Sequence, residues 1–97
     1  MEIDDVRKIG VVGAGVMGHG IAQVCARGGY EVVLVDVSDE VLAKALQLIR
    51  SGPFGLEKLV QKGKMSVEEA EKVMGRIRAT TFLKELEDVD FLIEAVP

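Results

Sequence analysis

Cysteine, histidine, aromatic residues and long apolar runs are all scarce in this 97-residue chain, and each shortage removes a class of function. The single cysteine, Cys25, has no partner for an internal disulfide and lies in an apolar stretch of helical spacing. It reads as a small buried hydrophobe in a reducing compartment. The single histidine, His19, leaves no histidine cluster to ligate a metal, and the acids are scattered, so no metal site is expected. One tyrosine, three phenylalanines and a formal net charge of -4 provide no basic patch interleaved with stacking rings, which disfavours nucleic-acid binding. No apolar run approaches the ~18 residues of a membrane span. The opening residues Met1 to Lys8 are too acidic for a targeting peptide. The expectation is a cytoplasmic protein without nucleic-acid or membrane partners.

What the chain has in quantity is apolar surface, 48% of its residues. A chain of this length forms one compact domain and buries a smaller share of its surface than a longer one. A partner surface is therefore expected.

Lys8 to Gly13 is a short apolar run ending in glycine, as in a fully buried parallel strand. From Val16 to Arg27 the apolar positions Met17, Ile21, Val24 and Cys25 recur at helical spacing, and Gly28-Gly29 supplies a stop. Glu31 to Asp36 is β-branched and apolar until its final acid, a second buried strand. Ser38 or Asp39 can cap a helix whose apolar face is Val41, Leu42, Ala45, Leu46 and Ile49. Pro53 kinks or breaks it, and Leu56, Leu59 and Val60 resume the pattern as far as Gly63. Ser66-Val67-Glu68-Glu69 is a capping box, with Met65 placed to staple onto Ala70, and it opens a helix running to about Gly75. Ile77 to Thr81 has weak strand character, Leu83 to Leu86 suits one helical turn, and Asp90 to Val96 reads as another buried strand. The order β-α-β-α-α-β-β, with right-handed crossovers, predicts an α/β Rossmann-type doubly wound parallel sheet in part. Its strands run 3-2-1-4 in space, within a three-layer αβα arrangement whose helical excursion follows strand 2.

Gly13-Ala14-Gly15-Val16-Met17-Gly18 is G-x-G-x-x-G, and each glycine has a separate task. Gly13 permits the tight turn out of the first strand, Gly15 lets a pyrophosphate approach the backbone, and Gly18 lets the helix lie close on the sheet. Unpaired N–H groups and the helix dipole favour an anion at this point. Such a pattern arises by chance in a glycine-rich chain, but here it follows a strand and opens a helix. It also precedes an acid, Asp36, eighteen residues after Gly18 at the end of the next strand. Asp36 would accept hydrogen bonds from the adenosine ribose hydroxyls of NAD and repel a 2′-phosphate. Val37 and Ser38 supply no arginine to favour NADP.

Other candidates carry less. His19 stands in the first helical turn near the phosphates, with a surface or packing role expected. Core packing is expected of Met17 and Met74. Lys58, Lys62 and Lys64 cluster near a helix end, where they complement its dipole or meet a nucleotide phosphate.

Ile9-Gly10-Val11-Val12-Gly13-Ala14-Gly15-Val16-Met17-Gly18-His19-Gly20-Ile21-Ala22 and Tyr30 to Asp36 resemble the N-terminus of the 3-hydroxyacyl-CoA dehydrogenases. Lys62 to Ser66, Arg76 to Thr81 and Ile93-Glu94-Ala95-Val96-Pro97 resemble it too, so the likeness spans nearly the whole chain. Other β-hydroxyacid dehydrogenases share the glycine turn but lack the helical excursion, and rank second. The resemblance implies reversible oxidation of an L-3-hydroxyacyl-CoA to the 3-ketoacyl thioester, with hydride passing to NAD. It places the family's catalytic histidine, glutamate, serine and asparagine, and its helical second domain, beyond the point matching Pro97, so no catalytic residue is assigned here. Residues 1–97 then form the N-terminal part of the dinucleotide-binding domain. The cofactor residues carried over are Gly13, Gly15, Met17, Gly18, Asp36, Ala95 and Val96, with Ala14 and Val16 in the same turn. A self-standing NAD-sensing module and an assembly role are the rival readings. Exposure of Phe91, Leu92, Ile93 and Val96 along the fourth strand predicts a homo-oligomer.

Overall fold

The computed structural model describes residues 5–95. Among the described residues four strands and four helices follow one another as β1 (Lys8–Val12), α1 (Val16–Arg27), β2 (Glu31–Val35), α2 (Asp39–Ser51), α3 (Leu56–Gln61), α4 (Val67–Gly75), β3 (Ile77–Thr80) and β4 (Phe91–Glu94), with a 3-10 turn at Leu83–Leu86. All pairings are parallel and the strand order is β3-β2-β1-β4, as the crossover rule requires. The helical excursion falls between β2 and β3.

Side chains alternate across the sheet, and the two faces are covered differently. Ile9, Val11, Val32 and Leu34 point to the helical side, where they form the main core with Ala22, Ala26, Leu42, Ala45, Ile49, Leu56 and Val73. The opposite face carries Gly10, Val33 and Val35. There the 3-10 turn is the cover among the described residues, with Leu86 and Val89 lying over Gly10. The side chains beneath it are sealed off, Val33 at 1% and Val35 at 2% exposure. A polar clamp holds the turn down: Glu85 accepts from Arg78 and, at 2.6 Å, from the Thr80 hydroxyl. These donors keep the Glu85 carboxyl below its ordinary pKa, Arg78 first and Thr80 second. The third layer is thus a single turn.

Three expectations need correction. Of the kink or break expected at Pro53 the structure has the break: α2 ends at Ser51 and α3 starts at Leu56, so the count is what changes, and the excursion contains three helices and not two. Proline withholds an N–H, and the Gly52 N–H instead closes α2 on the Leu48 carbonyl at 2.9 Å. The core-facing side of α1 is Gly18, Ala22, Gln23 and Ala26, whereas Met17 and Val24 are 67% and 68% exposed and Ile21 and Cys25 only partly buried. Both stripes repeat at 3.6 residues, and the stripe of small residues wins because it lets α1 come closer to the sheet. Strand β4 is not the buried strand its apolar run suggests: it lies at the edge, as the order 3-2-1-4 implies, with Phe91 56% and Leu92 47% exposed as the assembly argument expects, whereas Ile93 packs partly buried against the core. Met74 does pack, half-buried, against the core.

Caps fall where the side chains predict. The Ser38 hydroxyl accepts from the Val41 N–H at 3.2 Å, and that of Ser66 from the Glu69 N–H at 3.0 Å. The second arm of the box differs from expectation, because the Ser66 hydroxyl itself lies 3.3 Å from Glu69 Oε1. Met65 and Ala70 are both partly buried against the core.

Candidate dinucleotide site

The C-terminal ends of β1, β2 and β4 converge on the glycine turn. Gly13 leaves β1 with φ at 100°, a conformation that disfavours any side chain, and its N–H donates to the Val35 carbonyl at 2.7 Å. From the other side the Ala95 N–H donates to the Val12 carbonyl at 2.8 Å, which sets Ala95 beside the turn. A Cβ at Gly18 would lie 1.6 Å from the Gly13 carbonyl oxygen and 3.6 Å from the Ala95 methyl. The third glycine therefore permits contact between α1 and the turn itself, more than with the sheet at large.

Gly15 behaves differently. Its φ of -71° and ψ of -156° suit any residue, and a Cβ there would meet nothing within 4 Å. The fold of this chain does not require a glycine at position 15, so the open space in front of it points to something that arrives from outside. Gly15 is the N-cap of α1 and offers no capping side chain, so the N–H groups of Val16, Met17 and Gly18 have no partner within the helix. Val16 and Met17 expose their side chains, at 87% and 67%. The Ala14 N–H is already engaged and is not part of this cluster of donors.

Its acceptor is Asp36. Oδ2 of Asp36 accepts from the Ala14 N–H at 2.9 Å, and Oδ1 accepts from the Ser38 N–H at 3.1 Å. The carboxyl is half-buried and held below its ordinary pKa, chiefly by the Ala14 N–H, with the Ser38 and Val37 N–H groups adding to the effect against desolvation. A strut from the end of β2 to the glycine turn was not expected of this residue. An ionised carboxylate has about four acceptor positions, so the two backbone bonds leave room for ribose hydroxyls. The space in front of Gly15, the unpaired N–H groups and this anchored carboxylate fit a dinucleotide diphosphate with a free 2′-hydroxyl.

His19 lies beside this cluster. Its Nδ1 is 2.8 Å from the Gly15 carbonyl oxygen, which can only accept, so Nδ1 carries the proton. A cleft of about 230 Å³ between α1 and α2 adjoins the turn, with Ala14, Gly15 and Val16 on one wall and His19 and Lys44 among its lining. Lys58, Lys62 and Lys64 are exposed around the α3–α4 connection and do not line that cleft. Val96 lies outside the described residues. Two contributors escaped sequence reasoning. Gln23 is buried at 8% exposure and donates through Nε2 to the Phe54 carbonyl at 2.9 Å, pinning the α2–α3 break to α1. Asp90 accepts from the Arg7 and Lys8 N–H groups at 2.8 and 3.0 Å and ties β4 to the start of β1. Among the described residues no three His, Cys, Asp or Glu side chains gather as a metal site would require, and no helix is long and apolar enough to cross a membrane.

A parallel sheet with a G-x-G-x-x-G turn at the C-terminal end of β1 and an acid at the end of β2 defines a dinucleotide-binding α/β domain of the NAD type. More narrowly, the chain belongs to the family described as 3-hydroxyacyl-CoA dehydrogenase, NAD binding domain, whose model matches residues 8–97. It is 44% identical over 89 residues to a probable 3-hydroxybutyryl-CoA dehydrogenase of Deinococcus radiodurans, a match covering 92% of this chain and 31% of that protein. A 3-hydroxyadipyl-CoA dehydrogenase of Escherichia coli is 36% identical over 91 residues, covering 94% of this chain and 18% of its own length. The crystal structure of (S)-3-hydroxybutyryl-CoA dehydrogenase PaaH1 from Ralstonia eutropha superposes with a TM-score of 0.90 at 38% identity, over 96% of this chain and 32% of that one. The chain thus spans at most about a third of the length of these proteins.

Proposed function

We propose that residues 1–97 are the N-terminal part of the NAD domain of an enzyme that oxidises an L-3-hydroxyacyl-CoA to the 3-ketoacyl-CoA. The observation that carries this reading is the pairing of an open Gly15 with a carboxylate, Asp36, bonded to the same turn. The N–H groups of Val16, Met17 and Gly18 hold the pyrophosphate, Asp36 takes the adenosine ribose, and Ala95 with Val96 borders the path toward the nicotinamide. Bound NAD supplies the hydride acceptor. The hydroxyl proton must pass to a base within ~3 Å of it. His19 is poorly placed for this: it stands in the first turn of α1 beside the donors assigned to the pyrophosphate, although its Nε2 keeps a lone pair while Nδ1–H is bonded to the Gly15 carbonyl. The base is therefore assigned to residues beyond this segment.

The chain by itself is expected to bind NADH and to show no turnover of 3-hydroxybutyryl-CoA. Enhancement of NADH fluorescence on titration, with no NADH formed in a coupled absorbance assay, is the expected pair of results. Absence of NADH binding would overturn the assignment, and turnover surviving His19→Ala would show that a base in this segment has been misread.

A cytoplasmic setting accords with Cys25, a lone, partly buried thiol whose pKa burial pushes up and whose reactivity is correspondingly low. We further propose a homo-oligomer. Among the described residues no strand pairs with the outer edge of β4, which carries Phe91 and Leu92 in the open, a combination that invites pairing with a second copy. Light scattering at micromolar concentration is expected to give at least twice the 10.5 kDa mass of one chain. A clean monomer would dismiss the β4 edge as an assembly surface.

A further inference from the structure

The cations of this acidic chain are unevenly placed. Arg27 at the end of α1, Lys64 between α3 and α4, Lys72 on α4 and Arg76 just ahead of β3 line a single cleft of about 300 Å³. Its one acid is Glu69, whose Oε1 is 3.3 Å from the Ser66 hydroxyl. Four cations less one acid give the lining a formal charge of +3 in a molecule whose net charge is -4. Because every strand is parallel, the end of α1 and the start of β3 lie at the opposite edge of the sheet from the glycine turn. The cleft is separate from the dinucleotide site.

Like charges brought together on a surface repel unless something answers them. Among the described residues Lys8 pairs with Asp88, Arg50 with Glu71 and Arg78 with Glu85, while Lys44, Lys58, Lys62 and Lys84 have no ion pair, so what sets the cleft apart is the gathering of four cations and not their lack of partners. In the cleft, Arg27, Lys64 and Lys72 have no ion pair or side-chain hydrogen bond among the described residues. Arg76 alone is engaged, its Nη1 donating to the Ala26 carbonyl at 2.8 Å. That bond and the position of Arg27 make both guanidiniums counter-charges for the C-terminal end of α1. The α1 dipole does not account for Lys64 and Lys72, although Lys72 stands in the last turn of α4 and answers that helix's own dipole. Arg76 also keeps most of its five N–H donors free.

We propose that this cleft is an anion site for a small phosphate-bearing ligand, bound independently of the dinucleotide. Its volume lies at the lower end of the range for ligand pockets, about 300–1,000 Å³, which favours a compact anion. Two guanidiniums supply the forked donors that suit phosphate oxygens, and two ammoniums add charge without fixed geometry. Inorganic pyrophosphate is the probe, titrated by calorimetry at saturating NADH so that the glycine turn is filled, with sodium chloride holding the ionic strength constant. Pyrophosphate is expected to bind with NADH present. The double variant Arg27→Gln/Lys72→Gln is expected to weaken it roughly tenfold or more while NADH affinity stays within about twofold. The two substitutions remove counter-charges from the ends of α1 and α4, so a fall in the thermal melt of roughly a few degrees is expected, and Lys64→Gln gives a second, smaller loss of pyrophosphate affinity if the double variant is unstable. Pyrophosphate binding that vanishes at saturating NADH, or that these substitutions leave intact, overturns the proposal. NADH fluorescence reports the cofactor site separately, so failure there is distinguishable from failure here.

Discussion

A methyl group added at position 18 is expected to cost the chain both stability and its cofactor, whereas the same methyl at position 15 should cost the cofactor alone. In Gly18→Ala the new Cβ falls 1.6 Å from the oxygen and 2.6 Å from the carbon of the Gly13 carbonyl. Both are backbone atoms of a turn held at φ 100° and bonded to Val35, so no side chain can yield in their place. Either α1 lifts or the turn opens. Overpacking of this kind costs about 1–3 kcal/mol, occasionally more, and each kcal/mol moves the melting temperature of a domain this size by about 4–8 °C. A fall of roughly 10 °C or more is expected, with NADH binding lost because the donors of Val16 to Gly18 are displaced. Gly15→Ala should melt within about 0.5 kcal/mol of the parent, since its backbone suits alanine and its Cβ meets nothing. It should nevertheless bind NADH roughly tenfold or more weakly, because the methyl stands where the pyrophosphate approaches. Thermal melts and NADH fluorescence titrations on the two variants decide the matter. Unchanged NADH affinity in Gly15→Ala would remove the pyrophosphate from the turn, and an unchanged melt in Gly18→Ala would show slack where the geometry shows contact.

The contrast between the two glycines also shows what a sequence can and cannot convey. The spacing of Gly13, Gly15 and Gly18 is visible in one dimension, as are the ends of α1, the Ser38 and Ser66 caps and the strand order, because local chemistry and a chirality rule determine them. Which face of α1 turns inward is not visible in the same way. Periodicity gives weight to Met17 and Val24, while packing selects Gly18, Ala22 and Ala26 for the closeness they allow. Strand β4 read as buried because Phe91, Leu92 and Ile93 are apolar, but burial is a property of neighbours, and its outer edge has none among the described residues. Gln23 with Phe54 and Glu85 with Arg78 and Thr80 join positions distant in sequence or across a turn, and no local signal announces them. The role of Asp36 was legible as to ligand chemistry and illegible as to architecture: its place at the end of β2 suggests a ribose, and only the folded chain reveals the bond to Ala14.

That double role makes Asp36 the second site of large expected effect. Asp36→Ala removes the acceptor of two backbone N–H groups at once, one of them on Ala14, which is 2% exposed. An unsatisfied buried donor costs about 1–3 kcal/mol, so the variant should melt lower even without ligand. NADH affinity should fall by a further 1–3 kcal/mol or so through lost charge-assisted bonds to the ribose, and the preference for NADH over NADPH should narrow because the charge facing a 2′-phosphate is gone. Acid provides a check that separates architecture from binding. The folded-state pKa of Asp36 lies below its ordinary value, chiefly because of the Ala14 N–H, so the ionised group binds its proton less readily in the folded chain than in the unfolded one. Its contribution to stability is therefore complete above the unfolded value of about 3.9 and is lost as pH falls through the folded value. Asp88, Asp90 and Glu85 are shifted in the same direction, so the diagnostic quantity is the difference between parent and Asp36→Asn. That difference should be constant near neutrality and shrink below about pH 4, measured by urea unfolding across the range. A difference independent of pH would mean that the carboxylate is no strut, and equal affinity of the parent for NADH and NADPH would mean that it does not face the ribose.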